Sequence, residues 1–191
     1  NRKALIGGIV DHWQRRAEGR RSIVFPVSVK HSRAIVARFK AAGVRAEHLD
    51  GETPNAERLK ILARLKDGAV PVVSSCGVLS EGVNVPEVKC VVLARATQSL
   101  GLFIQQCGRA MRPWEGVEPL VLDHAGNTIG QKHWGPHTDR AWSMDGVERL
   151  AGARSAAMKA CPSCWAVIPT GCKTCPGCKA SIGEPILEPS E

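Results

Sequence analysis

Residues 74–113 read SSCGVLSEGVNVPEVKCVVLARATQSLGLFIQQCGRAMRP, and this stretch decides the architecture. Within it KCVVLAR (89–95) is a short apolar run, which predicts a strand. SLGLFIQQCGRAMR (99–112) places Leu100, Phe103, Ile104, Cys107 and Met111 at helical spacing. The sequence therefore predicts a helix lying on the sheet and closed by Pro113. Gln105, Gly108, Arg109 and Arg112 fall at i, i+3, i+4 and i+7 on a second face of that helix. A glycine inside a helix costs ~1 kcal/mol relative to alanine, so Gly108 implies close approach to the backbone. The two arginines either complement the helix dipole or bind a phosphate through their planar guanidinium groups. The chain has no G-x-x-x-x-G-K-(S/T) loop to hold that phosphate itself.

Strand and helix patterns alternate outward from this stretch. KALIGGIVDHW carries a helical stripe, and SIVFPV (22–27) reads as a buried strand. SVKHSRAIVARFKAAG follows with Ser28 as N-cap and Gly43 as stop. RAEHLD (45–50) is a short strand. TPNAERLKILARLKDG has Thr53 as N-cap, Pro54 at the first helical position and Gly68 at the end. AVPVVSS (69–75) and EPLVLDHAG (118–126) complete the strands. Strands separated by helices of this length make a mainly parallel α/β sheet flanked by helices. In such sheets ligands sit at the C-terminal strand ends, here PVSVKHS, HLDGET, SSCGVLSEGVNVP, ARATQS and DHAGN.

Composition bounds the function. Hydrophobic residues are 43% and charged residues 23% of the chain, enough for a globular core. No stretch approaches the ~18 apolar residues of a membrane span, and no signal peptide opens the chain. Because it begins with Asn1, it is expected to be part of a longer protein. The net charge of +8 comes entirely from residues 1–40, where ten Lys/Arg face Asp11 and Glu18. Such an end suggests a polyanion partner or a solvated basic helix face. Cys76, Cys90 and Cys107 sit singly among apolar residues, as buried thiols do. There is no tyrosine, and this has no functional account.

Taken together, residues 20–125 resemble the second RecA-like domain of superfamily 2 DEAD/DEAH-type helicases and translocases. Gln105, Gly108, Arg109 and Arg112 match Q-x-x-G-R-x-x-R, the form of motif VI in that superfamily. Glu81, Gly82, Asn84 and Pro86 match the E-G-x-(D/N)-x-P turn of motif V. IVFPVSVKHS looks like motif IV, and HLDGETP like the next nucleic-acid-facing loop. The resemblance implies a RecA-like fold and an ATP site shared with an N-terminal RecA-like domain, which supplies the P-loop and the Mg2+-binding acids. Arg112 would then be the arginine finger and Arg109 a second phosphate contact, or the two exchanged. Gln105, the third member of the catalytic set, would couple the nucleotide to motif V, and Glu81, Gly82, Asn84 and Gly108 would lie at the nucleotide. Ser28, Lys30, His31, His48, Gly51, Ser75 and Cys76 would line a nucleic-acid groove, with DNA favoured over RNA. Cys76 stands where many members have threonine, and Asn84 stands at the acid of motif V.

Near the C-terminus CPSCWAVIPTGCKTCPGCK contains C-P-x-C twice, Cys161/Cys164 and Cys175/Cys178. Two such thiolate pairs complete a tetrahedral zinc site, and the segment resembles a zinc ribbon that needs its metal to fold. Cys172 is a fifth candidate ligand, and two disulfides are the alternative; helicase-like chemistry in a reducing, cytoplasmic setting favours zinc. The expected organisation is a helicase C-terminal RecA-like domain at 1–126, a connector at 127–158, the ribbon at 159–183 and a tail at 184–191. His124, His133 and His137 fit no metal-ligand spacing. The connector resembles a segment of some phage and prophage helicases. The reading is the C-terminal half of an ATP-dependent helicase or translocase, inactive alone. A non-catalytic binding module and the motor of a restriction system are the alternatives.

Overall fold

SIVFP is apolar on both pleats, and strand β1 (Ser22–Pro26) is buried along its whole length at the centre of a five-stranded sheet. Around it lie β2 (Ala46–Leu49), β3 (Val72–Ser75), β4 (Cys90–Ala94) and β5 (Leu120–Asp123), in the order β2-β3-β1-β4-β5. All four pairings are parallel, with Ser22 opposite Val72 on one side and Cys90 on the other. The computed structural model describes residues 2–17, 19–78, 84–128, 135–136, 158–160, 167–169, 171–175 and 179–182. The chain divides into two units, Asn1–Asn127 and Thr128–Glu191.

Strand alternation sends side chains to two cores. Ile23, Phe25, Val73, Val91 and Leu93 face one side, where α3 (Asn55–Asp67) and α4 (Leu100–Cys107) add Ile61, Leu65, Phe103 and Cys107. Val24, Val72, Val92 and Cys90 face the other, where α1 (Arg2–Arg16) and α2 (Val29–Ala41) add Ile9, Val10, Trp13, Ile35 and Phe39. Trp13 and Phe39 meet edge-to-face at 5.4 Å and tie α1 to α2. Burial pushes the Cys90 thiol up to about 12; Cys90 and Cys107 are buried as expected, whereas Cys76 is only partly covered.

Helix ends follow the sequence with two exceptions. Ser28 caps α2 by accepting the His31 N–H, and Gly68 ends α3 at φ 83. Thr53 does not cap α3. Pro54 occupies that position without a side-chain bond, because the Thr53 hydroxyl is taken by Asp50. The helix expected to run to Arg112 stops at Cys107. Arg109 and Ala110 donate to the carbonyls of Gln106 and Cys107, three residues back, so the chain tightens and leaves the helix axis. Gly108 is therefore the C-cap and not an interior residue, and a Cβ there would meet the Ile104 carbonyl at 3.1 Å. Met111, expected on the apolar face, is 39% exposed, and Ala110 is buried in its place.

One partly buried contact is sensitive to protons. His12 Nδ1 lies 3.1 Å from His124 Nε2, between α1 and the end of β5. Burial and the nearby His12 push His124 down to about 4, with Asp123 opposing. Burial, then Arg16 and Arg15, lower His12. The unfolded chain takes up these protons near the ordinary value, so this stability is present above ~6.5 and lost as pH falls towards ~4. Urea unfolding from about pH 7 to about pH 4 is expected to lose up to about 3 kcal/mol through His124, with little added by the more exposed His12, and His124→Leu flattens that limb.

Candidate functional site

The loops at the C-terminal strand ends carry most of the groove residues expected from the sequence. Ser28 is exposed after β1, and Lys30 and Arg33 are exposed in the first turns of α2. His31 Nδ1 accepts the Val27 N–H at 3.3 Å. The first turn of α2 contains no acid, so cations crowd the positive end of a helix dipole, an arrangement that favours a bound anion. Gly51 follows β2 in the open, with nothing within 4 Å of a Cβ. Ser75 is buried at the end of β3, and the Cys76 N–H donates to the Leu49 carbonyl at 2.9 Å.

His48 is built into the protein beneath this surface. Its Nε2 lies 2.8 Å from Asp50 Oδ2, and its Nδ1 lies 2.6 Å from Ser32 Oγ. Ser32 Oγ is in turn 2.7 Å from Ser74 Oγ and 3.2 Å from the Ser74 carbonyl. A carboxylate only accepts, so the ring carries hydrogen on Nε2, while the Ser32 hydroxyl donates towards Ser74. Asp50 Oδ1 also accepts from the N–H groups of Glu52 and Thr53 and from the Thr53 hydroxyl, each at 3.0 Å. The His48 hydrogen bond, ahead of those from Thr53 and Glu52, holds the Asp50 carboxyl below its ordinary value against the opposing effect of burial. The connectivity is that of a Ser-His-Asp relay, but Ser32 is fully buried and cannot meet a substrate. Its work is mechanical: it joins α2, β2 and β3 and fixes the loop that displays Gly51.

The arginine pair is elsewhere. α4 starts at the C-terminal end of β4 and returns along the sheet, so its last residues reach the N-terminal edge. There Lys89, the residue before β4, donates its Nζ to the Arg112 carbonyl at 2.7 Å. Arg109 is buried and Arg112 half-buried. Gln105 is half-buried on α4, and its neighbour Gln106 is 3% exposed. Asn84 is exposed on the segment entering β4, whose Val85 and Val88 share the core of Phe103, Cys107 and Ala110. The Asn84 segment and the α4 turn therefore lie on one sheet face. Glu81 and Gly82 lie outside the described residues. The groove set lies at the C-terminal strand ends, and the arginine set lies at the far end of α4.

Sequence reasoning missed several supporting residues. Asn127 is 1% exposed. Its Oδ1 accepts the Thr97 N–H, while its Nδ2 donates to the Arg95 carbonyl and to Asp123. It thus clamps the turn that starts α4, whose cap Ser99 accepts the Leu102 N–H. An Asn four residues beyond a strand is too common a signal to have found it. Asp50 was more legible, since Asp-Gly-x-Thr is the pattern of a side-chain-closed turn. Ser32 and Lys89 carry no local signal.

In the second unit, β6 (Met158–Ala160) and β7 (Val167–Pro169) pair antiparallel, and the chain between them contains Cys161 and Cys164. A second turn is closed by the Thr174–Ser181 bridge and by the Cys175 N–H to the Ala180 carbonyl. Lys179 donates back to the Cys175 carbonyl and sits at φ 62. Cys175 is buried and Cys172 partly exposed. Cys161, Cys164 and Cys178 lie outside the described residues, as do His133 and His137, and no metal-ligand cluster occurs among the described residues.

A five-stranded parallel sheet in this order, flanked by helices and ending α4 on an arginine turn, defines a RecA-like domain of the helicase type. The chain belongs to the helicase conserved C-terminal domain family, whose model matches residues 2–113. It is 31% identical over 182 residues to the 51.5 kDa protein of a Lactococcus phage (isolate 7-9), covering 92% of this chain and 39% of that protein. It is 30% identical over 101 residues to the putative ATP-dependent helicase IRC3 of Saccharomyces cerevisiae, covering 53% of this chain and 15% of the relative. The chain thus spans about two fifths of the phage relative, and less of the yeast one. Its fold is similar to the E. coli DEAD-box protein SrmB, with a TM-score of 0.58 and 23% identity over 64% of this chain and 71% of that one. Among the described residues no helix is long and apolar enough to cross a membrane.

The relay is testable through its coupling. Asp50→Asn is expected to lower stability by about 1–3 kcal/mol in urea melts. Adding His48→Gln should cost less than the sum of the two single changes, by at least about 0.5 kcal/mol. Additive losses would mean that the two groups act independently.

Proposed function

We propose that the chain is the second RecA-like half of an ATP-dependent superfamily 2 helicase or translocase, completed by an N-terminal RecA-like domain that holds ATP and Mg2+. The observation that carries this reading is the fixed seat of the arginine turn. Gly108 ends α4, the chain tightens through Ala110, and Lys89 holds the Arg112 carbonyl. Two guanidinium groups three residues apart then start from a rigid main chain instead of a fraying helix end, which favours a preorganised phosphate contact. In this reading Arg112 reaches the terminal phosphate of ATP bound on the other domain, and Arg109 supports it. Asn84 lies beside them at the ribose. The groove of Ser28, Lys30, His31, Gly51, Ser75 and Cys76 holds nucleic-acid phosphates, with His48 as a strut below it.

The C-terminal cysteines are proposed to hold zinc. Each C-P-x-C pair falls in a hairpin connection, one between β6 and β7 and one inside the Thr174–Ser181 bridge. That is how two thiolate pairs are brought to one tetrahedral ion. Cys172 lies before the bridge and outside both connections, so Cys161, Cys164, Cys175 and Cys178 are the preferred set.

Joined to its N-terminal half, the protein is expected to show nucleic-acid-stimulated ATP hydrolysis, and Arg112→Ala should lower it by ~10³ or more. Unchanged turnover would remove the finger assignment. DNA and RNA are separated by which polymer stimulates. Elemental analysis of the purified chain should find about one zinc per molecule, with Cys175→Ser losing it and Cys172→Ser retaining it.

A further inference from the structure

Part of the net charge of the chain sits away from the groove. Each of the first three helices runs back against the parallel strands, so its C-terminus reaches the N-terminal edge of the sheet. Arg15 and Arg16 end α1, Arg38 and Lys40 lie in the last turn of α2, and Arg45 stands just before β2. The Trp13–Phe39 contact draws these helix ends together at 5.4 Å; Arg16 is one turn beyond Trp13, and Arg38 and Lys40 flank Phe39. All five cations are exposed.

Cations at helix C-termini can be explained by the dipole alone, and α3 shows how this protein treats them when that is all they do. There Lys60 and Arg64 pair with Glu57, Arg64 also with Glu47, and Lys66 with Glu87. No ion pair involves Arg15, Arg16, Arg38, Lys40 or Arg45 among the described residues. The dipole also gives no reason for Arg45, which lies outside any helix. Along the same edge Arg20, Arg21 and Lys89 line a cleft of about 410 Å³, but Glu87 and Glu115 line it too and offset them. The unbalanced charge is that of α1, α2 and the turn before β2.

We propose that this edge is a second nucleic-acid contact, separate from the groove at the opposite strand ends, and that it takes the phosphate backbone of a duplex. Single strands are held by exposed aromatic platforms together with cations. On α1, α2 and the turn before β2, Trp13 and Phe39 are buried and cations face outward, while the half-buried Trp114 lies in the neighbouring cleft and not on this patch. An array of cations without a stacking surface suits regularly spaced phosphates and reads no sequence. The inference shares the polymer class of the proposed function but not its residues.

The test uses this chain without nucleotide, a labelled DNA duplex of about 20 base pairs, and fluorescence anisotropy across a salt series. Replacing Arg15, Arg16 and Lys40 together by alanine is expected to weaken duplex binding tenfold or more and to reduce the salt slope by about two to three. Lys60→Ala, a cation change on α3, should stay within about twofold. All four positions are exposed, so thermal melts should coincide. Unchanged affinity and slope in the triple variant would overturn the proposal. So would a single strand bound as tightly as the duplex, or polyglutamate competing as well as unlabelled duplex, which would assign the edge to an acidic protein. The outcome is independent of ATP turnover: loss of the Arg112 effect with duplex binding intact leaves this surface standing, and the converse leaves the arginine turn standing.

Discussion

A parallel strand can join its neighbour only by crossing back over the sheet, and that constraint arranges everything else in the first unit. Three of these connections are the helices α2, α3 and α4, which start at the C-terminal strand ends and finish at the N-terminal edge, where α1 also ends. Residues that begin helices and residues that end them are therefore sorted to opposite sides of one sheet. Burial of β1 and β4 on both faces makes the arrangement stable, because it needs two helical layers to cover them.

Sorting by strand direction gives each end a distinct chemistry. The starting end has N-caps, exposed N–H groups and loops braced from below by the Ser32–His48–Asp50 relay. The finishing end has the arginine turn after α4 and the basic ends of α1 and α2. α4 carries both: Ser99 and the Asn127 clamp fix where it begins, and Gly108 and Lys89 fix where it ends. Hydrogen bonds hold both ends of this eight-residue helix, which is too short to be stable alone.

The element pattern was legible because each local rule agreed with the fold. Short apolar strand runs, capped helices and Gly43 and Gly68 stops all gave the observed order. The errors came where tertiary contacts outbid a local signal. Thr53 looks like a cap, but the buried Asp50 three residues before it claimed the hydroxyl. Met111 continues a helical stripe, but the helix had already ended at a glycine whose next turn tightened. His48 looks like a surface ligand of the groove, and only the strand register shows Ser74 and Ser32 beneath it.

By itself the sequence determined the kind of molecule: a parallel α/β sheet, an arginine pair in Q-x-x-G-R-x-x-R, and two C-P-x-C pairs. These depend on periodicity and short spacings, which the chain carries locally. Only the tertiary structure decided where each group acts. It moved the arginine turn away from the groove, made His48 a strut, and put most of the basic N-terminal charge on the opposite edge. The reason is physical: one-dimensional spacing cannot say at which end of a strand a helix terminates in space, and the crossover geometry can.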